Sequence, residues 1–129
     1  MILLDSHVVV WLAESPEELS AGAVAAIRRE RQKGELAISD TTLWELAWAI
    51  SKGRMRVKGL LLDFLETVER MFIVLPVTAA VADRTDRFSA RYPKDPADRL
   101  IGATALVHGI DLVTRDVRIR ASGEVSCIW

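Results

Sequence analysis

Four carboxylates stand where the apolar runs of this chain give way. Asp5 closes Met1-Ile2-Leu3-Leu4, Glu45 interrupts Leu43–Ile50, Asp98 lies three residues past Asp95, and Asp116 follows Leu112-Val113-Thr114-Arg115. Carboxylates packed together repel one another unless one is protonated or a cation sits between them. An oxygen-only donor set on a partly open site suits Mg²⁺ or Mn²⁺. Such ions polarise phosphoryl groups and stabilise a leaving oxygen, so acids without a Cys or His partner point to phosphodiester chemistry rather than zinc hydrolysis. His7 and His108 are each alone in sequence, with no partner to orient them as catalysts, and are read as core or surface residues.

Each acid also has a purely structural reading. Glu45 is the only polar residue between Leu43 and Ile50. A helix apolar on all sides is expected to be buried, and a charge there is costly unless paired or metal-bound. Yet Thr42-x-x-Glu45 also spells a capping box, in which the Glu returns to the N-cap backbone. Asp95-Pro96 is a helix start, with Asp as cap and Pro in the first turn, and this makes Asp95 the candidate for pure capping. Asp98 would favour the same helix dipole, but shares a face with Ile101 and Ala105 and so leans toward the packed side. Asp5 and Asp116, each after a strand, could be turn residues or caps. The weight lies in all four converging.

The elements that must position them alternate between short apolar runs and helical patterns, which predicts an α/β fold: a parallel sheet with helices on both faces. Strands are expected over 1–4, 36–39, 72–77, 112–114 and, more weakly, 125–128. Helices are expected after Asp5 up to a break at Ser15-Pro16, then over 20–33 with Gly34 as stop, 41–52, 60–70, 78–89, and from Asp95-Pro96 to His108 with Gly109 as stop. On this map three of the four acids lie at or beyond the carboxyl ends of strands, where open parallel sheets build their sites. The fourth opens a helix that could face the same edge.

With 129 residues, half of them hydrophobic, the chain fits a single domain over 1–129 with a substantial core. The lone Cys127 forms no internal disulfide, suits a reducing cytoplasm and is read as a small buried residue of the last strand. No apolar run reaches the length of a membrane span and the N-terminus lacks a basic start, so a soluble protein without a membrane role is expected. A net charge of −1 argues weakly against general nucleic-acid binding. Most of the 17 basic residues are Arg, however, and they cluster at 54–58, 84–94 and 115–120, where phosphate contact competes with an ordinary solvated face. Trp11, Trp44, Trp48 and Leu60 to Leu62 could serve a partner surface, although burial is the expectation for most of them. A nucleotide-binding domain is a weaker reading, since no G-x-G-x-x-G follows a strand and no G-K-[ST] occurs. A phosphoacceptor receiver domain would need paired acids after the first strand, but Ser6 follows Asp5, and a Lys after a late strand, which is missing.

Taken together, Met1–His7, Ser39–Leu46, Asp95–Ala105 and Leu112–Asp116 resemble, in order and spacing, the four acidic motifs of PIN domains, in particular a VapC-like branch, and the resemblance spans almost the whole chain. It implies a three-layer α/β/α sandwich around a central parallel sheet. It also implies a metal-dependent endoribonuclease using Mg²⁺ or Mn²⁺, acting as the toxin of a toxin–antitoxin pair, with an RNA substrate, a cognate antitoxin partner and a homodimeric state. Carried over by position, Asp5, Glu45, Asp98 and Asp116 are the catalytic and metal-binding acids, with Thr114, Arg99 and Arg115 in support. The family varies at the fourth acid. Gly102 stands where many relatives have Ala, an exchange expected to be harmless because both are small. The alternative is a PIN-fold module that has lost catalysis and acts by binding protein.

Overall fold

The computed structural model describes residues 1–129. Strand β1 (Ile2–Leu4) leads into helix α1 (Ser6–Glu14), a single 3-10 turn over Pro16–Glu18, helix α2 (Ala21–Lys33) and strand β2 (Leu36–Ser39). Helices α3 (Asp40–Ser51) and α4 (Leu61–Met71) precede β3 (Ile73–Leu75). The chain then forms α5 (Ala79–Thr85), α6 (Pro96–His108), β4 (Asp111–Val113), α7 (Val117–Ser122) and β5 (Cys127–Ile128).

All strands pair in parallel, in the order β3-β2-β1-β4-β5. From β1 the chain steps outward through β2 to β3, then returns to the other side of β1 as β4. Connections from β1 and β4 therefore leave in opposite directions, which opens a crevice at their carboxyl ends. Leu3 lies opposite Leu112 and Leu4 opposite Val113, so Asp5 and Thr114 emerge side by side.

Side chains alternate across the sheet and divide the core in two. Ile2, Leu4, Leu36, Ile38 and Val113 pack against α1–α4, with Val8, Ala26, Leu46 and Val68 among the covering residues. Leu3, Ala37, Leu75 and Leu112 face the other layer, built from Val81, Ile101, Ala105, Ile119 and the loop residues Phe88 and Tyr92. This is the expected three-layer sandwich. Helix ends follow their chemistry: the Ala23 N–H donates to the Ser20 hydroxyl at 3.1 Å, and Gly34 and Gly109 close α2 and α6 with left-handed φ of 72° and 62°.

Some expectations fail for tertiary reasons. β3 covers only Ile73–Leu75, because Pro76 has no N–H to continue the ladder. Helix α5 stops at Thr85 instead of Ser89, and the chain turns Phe88 and Tyr92 into the second core. Ser39, not Thr42, caps α3, accepting from the Thr41 N–H at 3.3 Å. Thr42 is buried inside the helix, so the Thr42–Glu45 capping box does not form. Nor is α3 buried all round: Trp44 is 63% exposed and Trp48 39%, while Leu60 and Leu62 are also exposed. Cys127 is half-buried. Gly102 is not interchangeable with Ala, since an added Cβ would collide with the Tyr92 ring, coming within 2.8 Å of its Cζ. No helix is long and apolar enough to cross a membrane.

Candidate active site

Asp5 is the centre of a buried polar network at the crevice. As the N-cap of α1 it accepts from the Ser6 N–H through Oδ1 at 2.7 Å, and its other oxygen accepts from the Thr114 hydroxyl at 2.6 Å. Its own N–H donates to the Val113 carbonyl at 3.1 Å, extending the β1–β4 ladder by one rung. The Thr114 hydroxyl in turn accepts from the Asp116 N–H at 3.1 Å. Thr114 is fully buried and thus ties the first acid to the loop holding the fourth. Burial raises the Asp5 carboxyl above its ordinary pKa. The Thr114 hydroxyl, the His7 charge and the Ser6 N–H oppose this shift, and the Asp116 charge adds to it.

The remaining acids arrive from separate elements. Glu45, on the second turn of α3, is half-buried; burial raises its pKa, the Ser6 hydroxyl opposes, and the charges of Asp5 and Asp95 add. Asp98, in the first turn of α6, takes no side-chain hydrogen bond from the protein, and its pKa is pushed up to about 7 by burial, then by the charges of Asp5, Asp95, Glu45 and Asp116. Asp116 caps α7: its Oδ1 accepts from the N–H groups of Arg118 and Ile119 at 2.7 and 3.1 Å, leaving Oδ2 near the Arg118 guanidinium at 3.6 Å.

All four predicted acids line one open cleft of ≈ 760 Å³, with Asp95 a fifth. Asp95 does cap α6, accepting from Ala97 and Asp98 N–H groups at 2.9 and 3.2 Å, but its charge also bears on Glu45 and Asp98. Capping and site membership were treated as alternatives in the sequence, and at Asp95 and Asp116 they coexist. Arg115 lines the cleft, paired with Glu18 at 3.0 Å and lying over the Trp11 ring at 5.6 Å. Arg99 does not: its guanidinium donates to the carbonyls of Pro93 and Thr85, bracing the loop before α6. His7 is exposed at the cleft, tilted against Trp11 at 5.6 Å between ring centres. Trp44, Trp48, Arg54 and Arg118 also line it; sequence analysis had placed the tryptophans mostly in the core and had left Arg54 and Arg118 in charge clusters. No Lys enters the cleft, as the receiver reading would require.

The donor set fits a hard divalent ion in kind: every acid is an oxygen donor, and Asp5, Glu45 and Asp98 each have a pKa raised in part by another's charge. The acids share a cleft and a field without forming a cage, since no three His, Cys, Asp or Glu side chains are grouped to hold a metal ion.

Residues 2–124 match the family model of the PIN domain. Among curated proteins, Ribonuclease VapC22 of Mycobacterium tuberculosis is 38% identical over 120 residues, 93% of this chain and 90% of that protein. Among solved structures, VapBC2 from Rickettsia felis bound to a promoter DNA fragment superposes with TM-score 0.74 at 16% identity, covering 98% of this chain and 97% of that one. DNA-bound VapBC from Salmonella typhimurium superposes with TM-score 0.71 at 19% identity and the same coverage.

Proposed function

The chain belongs to the PIN domain family, and from that premise we propose that it is a VapC-type toxin: an endoribonuclease that hydrolyses RNA phosphodiester bonds with the help of Mg²⁺ or Mn²⁺. The observation supporting this most directly is the convergence of Asp5, Glu45, Asp98 and Asp116 on one cleft at the sheet's switch point, where burial first and the neighbouring acids' charges second push Asp98 up to about 7. An inert binding module has no use for acids held so unfavourably.

Asp5, Glu45 and Asp98, which line one cleft without being grouped into a cage, would have to draw together to hold the ion, with Asp116 beside them. When bound, the ion supplies positive charge to the phosphate and acidifies water. The chain does the rest. Thr114 and the Ser6 N–H fix both oxygens of Asp5, so this acid is pre-oriented. In the metal-free cleft Asp98, pushed up to about 7, can hold a proton near neutral pH and give it up when the cation arrives, and the Glu45 carboxyl is shifted in the same direction by burial. Arg115 and Arg118 can meet the phosphate's charge from the α7 side. The reading also places the protein in the cytoplasm, as a homodimer, held inactive by a cognate antitoxin.

The purified chain is expected to cleave RNA with Mg²⁺ or Mn²⁺ and to stop when EDTA is added. Asp98→Asn should lower the cleavage rate at least about a hundredfold, more than losing a residue that merely supports a ligand. Cleavage that persists unchanged in EDTA and in the variant refutes the metal mechanism.

A further inference from the structure

The Asp98 carboxylate takes no hydrogen bond from the protein, so only the backbone of α6 decides where it stands. The charges of Asp5, Asp95, Glu45 and Asp116 all bear on it and press its turn away from the cleft. That turn is the first of the helix, where helices fray most readily. Two side chains behind it resist. The Tyr92 hydroxyl donates to the Asp98 carbonyl at 3.0 Å. In an α-helix this carbonyl already accepts the N–H four residues on, here that of Gly102, and the hydroxyl lies where a Gly102 side chain would begin. Arg99 answers in the other direction: its Nε donates to the Pro93 carbonyl at 3.0 Å and a terminal nitrogen to the Thr85 carbonyl at 3.2 Å. One bond therefore runs from the loop between α5 and α6 to the acid-bearing turn, and two run back. Tyr92 is 1% exposed and stacked on Phe88, so its ring cannot follow a helix that shifts. Neither Tyr92 nor Arg99 lines the cleft. A ring that only filled the gap over Gly102 would have no use for a hydroxyl.

We propose that Tyr92 and Arg99 are positioning residues for Asp98: a two-way clamp that holds the first turn of α6 against the repulsion of the cleft and keeps its carboxylate within reach of a divalent ion. The proposal rests on the metal-dependent reading and adds which residues behind the cleft set its affinity for the ion. Repulsion and clamp act on the same stretch of backbone, so loosening the clamp lets Asp98 withdraw and weakens one oxygen donor. Groups that orient a metal ligand are worth about tenfold or more in affinity. Arg99 acts here through the shape of its guanidinium, which spans two carbonyls, and not through its charge.

The test reads Mn²⁺ binding without RNA, from the paramagnetic resonance signal of free Mn²⁺. Tyr92→Phe keeps the ring and loses only the hydroxyl. Arg99→Lys keeps the charge and loses the fork. Each should weaken Mn²⁺ binding about tenfold. Ile27→Val, a buried change on α2 in the other half of the core, should lower thermal stability comparably and bind Mn²⁺ as the wild type does. In RNA cleavage the half-saturating Mn²⁺ concentration should rise by the same factor in both clamp variants, and kcat should recover as Mn²⁺ is raised. A merely structural role would lower the melting temperature and leave that concentration in place. Thermal melts show that each variant is folded at the assay temperature. Unchanged Mn²⁺ binding in either clamp variant, or equal weakening by Ile27→Val, overturns the clamp alone. A wild-type chain that binds no Mn²⁺ overturns the metal reading and the clamp together. If the wild type binds Mn²⁺ but cleaves no RNA, and the clamp variants bind it about tenfold more weakly, the ribonuclease reading fails and the clamp stands.

Discussion

At the level of single residues, the cleft costs the protein stability. Asp98 has a folded pKa of about 7 against an ordinary 3.8, so between these values the folded chain holds more protons than the unfolded one. Stability from this group is therefore fully present below the ordinary value and is lost as pH rises through 7. In metal-free buffer the melting temperature should rise on acidification from pH 8 toward pH 5.5, and saturating Mg²⁺ or Mn²⁺ should remove or reverse that trend. A melting temperature independent of both pH and cation would count against the repulsion. Asp98→Asn should stabilise the metal-free chain at pH 8, by on the order of 1 kcal/mol because the carboxyl still meets water. Glu30 has the opposite sign. Arg29, Lys33 and the Met1 ammonium lower its pKa to about 2, so its contribution is lost only as pH falls below 4.5, outside the Asp98 window above pH 5. The residue types of the site were legible in the sequence because carboxylates after strands and at a helix start are local features. What Asp116 does was not: it is a cap and a site acid together. Asp116→Asn should keep the cap and stay within about 0.5 kcal/mol of wild type in urea unfolding, while Asp116→Ala should cost about 1 kcal/mol. If the two variants unfold alike, the cap contributes nothing.

Among the elements, α6 shows how a site is held from behind. Asp98 faces the cleft, while its backbone carbonyl accepts from the Tyr92 hydroxyl at 3.0 Å on the packed side. Tyr92 can reach it only because Gly102, one turn along, has no side chain; the Tyr ring lies against this gap, stacked on Phe88 at 3.8 Å between ring centres. Gly102→Ala should therefore destabilise the chain by about 1–3 kcal/mol through overpacking, measured by urea unfolding. Tyr92→Phe, which keeps the ring and loses one hydrogen bond, should cost only about 0.5–1.5 kcal/mol. A Gly102→Ala chain as stable as wild type would restore the expectation that the exchange is harmless. Helix α6 itself was readable almost to the residue, since Asp95-Pro96 and Gly109 are strong local signals. Its partner was not, because nothing in the loop around Tyr92 shows that a bulky ring will be drawn beneath a glycine ten residues away. The α3 boundary failed in a related way: Ser39 ends β2 and caps the helix at once, and a pattern search assigns it to the strand alone.

For the whole molecule, the alternation of strands and helices made the parallel sandwich legible, but not the strand order. That order follows from which apolar faces fit together, and it is what puts β1 between β2 and β4 and makes the switch point. The exposure of Trp44 and Trp48 is likewise a property of the assembled layers, invisible in a run of apolar letters. One consequence reaches into synthesis. The hydroxyl that orients Asp5 lies 109 positions later in the chain, so the first acid is made long before the partner that fixes it. A ribosome building this protein thus exposes no finished cutting centre until β4 has left the exit tunnel. Chains ended after Ile110 should leave growing cells unharmed where the full chain arrests them, and growth curves after induction decide it. A cutting centre assembled in this order is harmless to the cell until its synthesis is nearly over.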